Sequence, residues 1–187
     1  MKTYRPYTKS RRNMSTLPYK ELLSGDRPTK SLMKGKKQRA GRNAFGRVTT
    51  RHQGGGHKKN YRDVDFRYDK KDIPAKVETV EYDPYRTGFI ARVVYADGER
   101  RYVLAPKDLK VGDSFLVSEK AAVKVGNRVP LSKLPTGTFV YNVELKPGAG
   151  ARLARSAGNY AEVVAHDAGF AQLKLPSTEI RKVPDQA

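Results

Sequence analysis

The 187-residue sequence contains no cysteine. That single absence excludes disulfide frameworks, thiolate nucleophiles, iron–sulfur clusters and cysteine-bound zinc. Long apolar runs are missing as well. No stretch approaches the roughly 18 residues of a membrane span, and the N-terminus lacks the apolar core of a secretory signal. The chain therefore reads as a soluble intracellular protein with no membrane partner. Acidic residues are scarce: 19 Asp+Glu stand against 38 Lys+Arg, a net charge of +19 with a pI near 10.1. So large an excess on a short chain repels itself, and it calls for a polyanionic partner.

The shortage of acids is local. Residues 1–60 hold 17 basic residues, with only Glu21 and Asp26 opposing them, whereas residues 61–187 hold 21 basic and 17 acidic residues. The same first third is short of core-building side chains. Leu17, Leu22, Leu23, Leu32, Phe45 and Val48 are its only Val, Ile, Leu or Phe residues, 10% of the segment. A highly charged segment below about 20% stays disordered on its own, because it cannot bury enough apolar area to offset its ordering entropy. Residues 1–60 are thus expected to be a basic extension that orders on RNA. At about 3.3 Å per residue it could reach on the order of 200 Å.

From Tyr61 the pattern changes to short alternating apolar stretches between turns. Residues 61–68 place Val64, Phe66 and Tyr68 on one face, and further strands are expected over 75–82 and 88–95. Asp97-Gly98 is a two-residue hairpin turn, and 100–105 supplies the returning strand. A turn at Val111-Gly112-Asp113 precedes 115–117. This spacing predicts a small closed β-barrel over 61–125. A second unit, 126–187, carries expected strands over 138–145, 151–155, 160–166, 170–175 and 180–183. Gly158-Asn159 and Asp167 to Gly169 read as turns within it, and five short strands in so few residues fit an SH3-like barrel. Tyr95, Tyr102 and Tyr141 fall in strand patterns and read as packing residues. No repeat recurs at a fixed period, which excludes solenoids and propellers.

The densest chemistry lies in residues 41–62. Arg42, Arg47, Arg51, Lys58, Lys59 and Arg62 are suited to neutralising phosphates. His52, His57 and Tyr61 are suited to stacking on bases, and Asn60 to reading a base edge or a 2′-hydroxyl. Gly54, Gly55 and Gly56 let the backbone approach a phosphate closely. The plainer reading, a flexible basic linker, fits the surrounding composition less well. A metal at His52 and His57 needs two more ligands, and no acidic residue lies near them. A histidine acid–base pair needs a rigid setting that this glycine-rich run lacks. There is no phosphate loop ending in Lys-Ser/Thr, no serine elbow and no carboxylate pair, so no enzyme is expected. Within the barrels, Arg86 sits at the tip of a turn, and Arg152 and Arg155 sit among small residues that leave the backbone open to another surface.

At these stretches the chain resembles the family of the second large-subunit ribosomal protein. The resemblance is carried by Arg42-Asn43, Gly46 to Thr49, Arg51-His52, Gly54 to Lys58 and Tyr61-Arg62. It continues through Glu81 to Pro84, Tyr95 to Gly98, Gly126-Asn127, Pro130-Leu131 and Gly148 to Gly158, in order and along the whole chain. The resemblance implies an all-β architecture: an OB-fold barrel followed by an SH3-like barrel, preceded by a long basic N-terminal extension. It implies binding of large-subunit rRNA, with RNA-contacting arginines at Arg86 and Arg155 and further contacts from the 42–62 run, Asn43 included. Other ribosomal proteins, and the small subunit across the bridge region, are the implied partners. The family supports subunit association and the surroundings of the peptidyl transferase centre without being the catalyst.

No cofactor is expected, magnesium entering only as an ion held by the RNA. The family's long basic C-terminal extension, with its histidine, has no counterpart up to Ala187. The sequence is accordingly read as a fragment or as a form without that role, and no part at the catalytic centre is carried over. An N-terminus with no clear amphipathic transit segment favours a bacterial, cytoplasmic ribosome over an organellar one. Two other readings compete: a non-specific nucleic-acid chaperone, favoured by the extension, and a histidine-dependent ribonuclease.

Overall fold

A computed structural model describes residues 1–36 and 39–187. At the N-terminus β1 (Lys2–Thr3) pairs with β2 (Ser15–Thr16) around a helical turn, α1 (Lys9–Arg12), and a second turn, α2 (Tyr19–Leu22), follows. β3 (Met33–Gly35) pairs antiparallel with β4 (Asn60–Arg62). No described residue from 1 to 60 is buried, as the shortage of apolar side chains requires.

The expectation that this segment orders only on a partner needs correction, because part of it is tied to the first barrel. Ser24 exchanges hydrogen bonds with Val80: its N–H donates to the Val80 carbonyl (3.0 Å), and its Oγ accepts from the Val80 N–H (2.9 Å). The Thr29 N–H donates to the Tyr102 hydroxyl (3.0 Å), and Leu32 packs on a cluster of Val64, Ile90, Tyr102 and Leu104. The segment around 24–35 therefore has partners inside the chain.

The first barrel is a curled sheet of β5 (Ala75–Glu81), β6 (Ile90–Tyr95), β7 (Arg100–Leu104) and β8 (Ser114–Phe115), in the order β7-β6-β5-β8. β6 is buried on two sides: Ala91, Val93 and Tyr95 face a core with Ala75, Val77, Val103 and Phe115, and Ile90 faces a second cluster with Val64, Tyr102 and Leu104. A register shift between Val77 and Thr79 bends β5 where the sheet must close. The hairpin between β6 and β7 turns at Asp97-Gly98, with Gly98 at a φ of +84°.

The strand expected over 61–68 is cut short. Only Asn60–Arg62 is regular, followed by a single bridge from Val64 to Tyr102. Asp65 is the cause: its Oδ1 accepts from the N–H groups of Arg67 (2.8 Å) and Tyr68 (3.0 Å), folding the chain into a turn. This turn, with Tyr68 at a φ of +52°, sends Tyr68 into a different core from Val64 and Phe66.

The second barrel places β9 (Phe139–Val140), β12 (Ala161–Asp167), β13 (Phe170–Lys174) and β14 (Ile180–Pro184) in the order β14-β13-β12-β9. Beside them β10 (Val143–Glu144) pairs with β11 (Ala151–Leu153). Val143, Ala161, Val163, Ala171, Leu173 and Val183 fill its core. The single strand expected over 138–145 is divided at Asn142, whose φ of +55° no strand accommodates and which asparagine tolerates better than most residues. The architecture is all-β, an OB-fold barrel followed by an SH3-like barrel behind a basic extension.

Candidate nucleic-acid interface

The turn after β5 is built on Asp83, whose side chain is fully buried. Its Oδ1 accepts from the Tyr85 N–H (2.9 Å) and its Oδ2 from Arg86 Nε (2.5 Å). Arg86 is thereby held by one edge, with its guanidinium 5.3 Å from the centre of the Phe66 ring. From the other barrel, the loop after β11 brings the Arg155 guanidinium to 4.4 Å from the same ring, and Arg155 Nε donates to the Arg152 carbonyl (3.3 Å). The two loops touch, the Ala157 N–H donating to Thr87 Oγ1 (3.2 Å). An aromatic face attracts each cation through its quadrupole, so Phe66 seats two like charges that would otherwise repel.

The groove they border has a volume of about 660 Å³ and is lined by Tyr61, Phe66, Tyr82, Pro84, Tyr85, Arg86, Thr87, Arg155 and Ser156. Tyr61 and Tyr85 meet edge to face, with ring centres 5.5 Å apart. Lys36 Nζ stands 5.7 Å from the centre of Tyr61 and 5.9 Å from that of Tyr85. The Tyr85 hydroxyl donates to the Lys59 carbonyl (3.3 Å), tying the basic run to the groove.

The juxtaposition depends on a tight seam between the barrels. The Ala151 N–H donates to the Phe66 carbonyl (2.8 Å), and Asn142 Nδ2 donates to the Tyr68 hydroxyl (3.1 Å). The Arg128 guanidinium lies 4.7 Å from the centre of the Tyr68 ring and donates through Nη2 to Glu144 Oε1 (2.8 Å). Burial pushes the Tyr68 hydroxyl well above its ordinary pKa, so it stays neutral. Gly150 sits at a φ of +87°, and a Cβ there would come within 3.3 Å of the Phe66 carbonyl oxygen. Glycine is what lets the backbones come this close.

The other residues singled out in the sequence lie apart from this groove. Arg42 bridges Val48, and Asn43 Oδ1 accepts from the N–H groups of Phe45 and Arg47 (3.0 Å each), so the Asn43 carbonyl shapes a turn. Arg47, Arg51, His52, Gly54, Gly55, Gly56, His57, Lys58, Lys59 and Arg152 are all exposed. Arg62 donates through Nη1 to the Asn60 carbonyl (2.9 Å), while its Nε is buried without a partner. Of the residues read from the sequence, the fold brings Tyr61, Arg86 and Arg155 together and ties Lys59 to them by its backbone. Sequence reasoning missed Lys36, Phe66, Asp83 and Tyr85 as parts of the site. Asp83-Pro84-Tyr85-Arg86 carried a usable signal, since an aspartate two residues before a backbone N–H is an Asx-turn former. Phe66 carried none, because alternation assigned it to a core face.

Exposed basic loops on two linked β-barrels, with an arginine from each within 6 Å of one ring, form the kind of surface that suits a polyanion. Residues 29–118 match the family described as Ribosomal Proteins L2, RNA binding N-terminal domain, and residues 124–187 match Ribosomal Proteins L2, C-terminal domain. The chain belongs to the ribosomal protein L2 family, structural rRNA-binding proteins of the large ribosomal subunit. This is an RNA-binding family and not a family of enzymes.

Proposed function

We propose that this chain holds large-subunit rRNA by dividing the work between its parts. Residues 1–60 supply phosphate neutralisation, through Arg42, Arg47, Arg51, Lys58 and Lys59, with His52 and His57 stacking on bases. The barrels of 61–125 and 126–187 supply selectivity, through Arg86, Arg152 and Arg155. The observation that carries this reading is the meeting of Arg86 and Arg155 on Phe66, one from each barrel, at 5.3 and 4.4 Å. Two donors held at a fixed spacing recognise the shape of an RNA backbone, which a flexible basic tail cannot do. Magnesium enters as an ion of the RNA. Family resemblance extends the role to subunit association and to the surroundings of the peptidyl transferase centre, in a bacterial ribosome.

The test is salt-dependent binding of the full chain to a large-subunit rRNA fragment and to a scrambled RNA of the same length. A preference for the rRNA that persists as salt rises supports the reading, because counterion release weakens both complexes alike. Equal affinity for the two RNAs, and for DNA, would overturn it in favour of the non-specific chaperone that the exposed charge of residues 1–60 suggests.

A further inference from the structure

The groove holds more than the two arginines need. Tyr61 and Tyr85 are half-buried, and neither ring belongs to a hydrophobic core cluster. The position against both rings is filled by a single ammonium, that of Lys36, within 6 Å of each centre. A lysine in such a place is a weak and strongly hydrated occupant. Arg86 and Arg155 line the same groove, so aromatic faces and phosphate-binding cations lie side by side. Its volume of about 660 Å³ falls in the roughly 300–1,000 Å³ range of small-ligand sites.

We infer that this groove receives one unpaired nucleotide of the bound RNA, its base stacked on one ring of the edge-to-face Tyr61–Tyr85 pair and flanked by the other, and its phosphate held by Arg86 and Arg155. The inference rests on the rRNA-binding reading above and adds the ligand of the groove. The incoming base displaces the Lys36 ammonium from the rings, and Lys36 moves to the neighbouring phosphate. Every base has a π-face, so the site takes any unpaired base; its selectivity is for a base that is extruded from the helix. A base inside a duplex cannot enter, because both of its faces are covered.

Two labelled probes test this on the full chain at fixed salt: a riboadenylate hexamer, and a hexamer of the same backbone with tetrahydrofuran spacers in place of the bases. The wild type should bind the adenylate about tenfold more tightly. Y61L/Y85L, which keeps apolar bulk but loses the ring faces, should cut that ratio severalfold, leaving only what stacking on His52 and His57 supplies. Y61F/Y85F, which keeps the rings and loses the hydroxyl bond to Lys59, should retain it. Lys36→Ala should lower the salt slope by about 0.7 for the adenylate, whose base sends Lys36 to a phosphate, and leave the slope of the spacer hexamer unchanged. A wild-type ratio of one, or a tenfold ratio surviving in Y61L/Y85L, overturns the nucleotide site. The rRNA fragment and its scrambled counterpart are run in the same buffer. If the rRNA preference holds while the hexamer ratio is one, only the nucleotide site fails; if the preference is absent while the ratio is ten, only the rRNA reading fails.

Discussion

Replacing Phe66 by leucine tests whether the shared ring, and not charge alone, makes the two arginines an RNA-binding unit. Phe66 packs in part on Val64, Ile90, Tyr102 and Leu104, and leucine keeps most of that apolar contact. What leucine removes is the π-face beneath two guanidinium groups, at 5.3 Å for Arg86 and 4.4 Å for Arg155. Without it, each arginine regains rotamers in the free protein that RNA must then freeze, at about 0.5–1.5 kcal/mol per side chain. For two side chains this is about 1–3 kcal/mol, or roughly a 5- to 150-fold loss of affinity for the rRNA fragment. Arg86 keeps its tether to Asp83, which places the expected value in the lower half of that range. No charge is lost, so the slope of log affinity against log salt should match the wild type. Anisotropy titrations over a series of salt concentrations read both quantities. A loss below twofold, or a shallower slope, would refute the reasoning.

Arg155→Ala removes a charge as well as a positioned donor. It should weaken rRNA binding by about 1–3 kcal/mol and reduce the salt slope by somewhat less than one, and an unchanged slope would show that Arg155 meets no phosphate. Tyr102→Phe deletes a fully buried hydroxyl that donates to Glu81 Oε2 (2.9 Å) and accepts from the Thr29 N–H (3.0 Å). Its bond to a carboxylate predicts a loss of about 2–3 kcal/mol in denaturant unfolding, together with faster proteolysis near Thr29. A stability within 0.5 kcal/mol of wild type, on the order of an ordinary surface change, would contradict the network. His166 Nδ1 lies 3.0 Å from Asp185 Oδ1, and Nε2 lies 2.9 Å from the Leu134 carbonyl; only the imidazolium donates to both at once. The hydrogen bond to Asp185 raises the His166 pKa above its ordinary 6.5. A raised histidine pKa stabilises the fold fully below the unfolded value, and the effect fades as pH climbs through the folded one. The half-exposed setting limits it to about 1 kcal/mol. His166→Gln should therefore lower the melting temperature more at pH 5.5 than at pH 8.5, and an equal shift at both would count against the ion pair.

Much of this molecule was legible in one dimension. The alternation in Ala75–Glu81 and Phe170–Lys174, and the Asp97-Gly98 turn, are local features, and the strands formed where they pointed. Charge segregation is equally local, and it left the described residues of 1–60 without a buried side chain. Where alternation misled, a side chain or a backbone angle overrode it. Asp65 captured two N–H groups and ended the strand expected over 61–68, and Asn142 took a positive φ that divided the one expected over 138–145. Periodicity cannot register either event, because it counts apolar faces and ignores where backbone hydrogen bonds go.

Arg86 and Arg155 were identifiable one by one, yet nothing in the chain between them says that they share a ring. That was decided by the seam where Ala151 bonds to Phe66, and Asn142 and Arg128 close on Tyr68. Lys36 and Tyr85 joined the site by the same route, through space. Sequence thus determined the strands, the turns and the sign of the partner, since these follow from neighbours along the chain. Tertiary structure alone decided the spacing of the cations and aromatics that line the groove, since that spacing is set by how the two barrels pack.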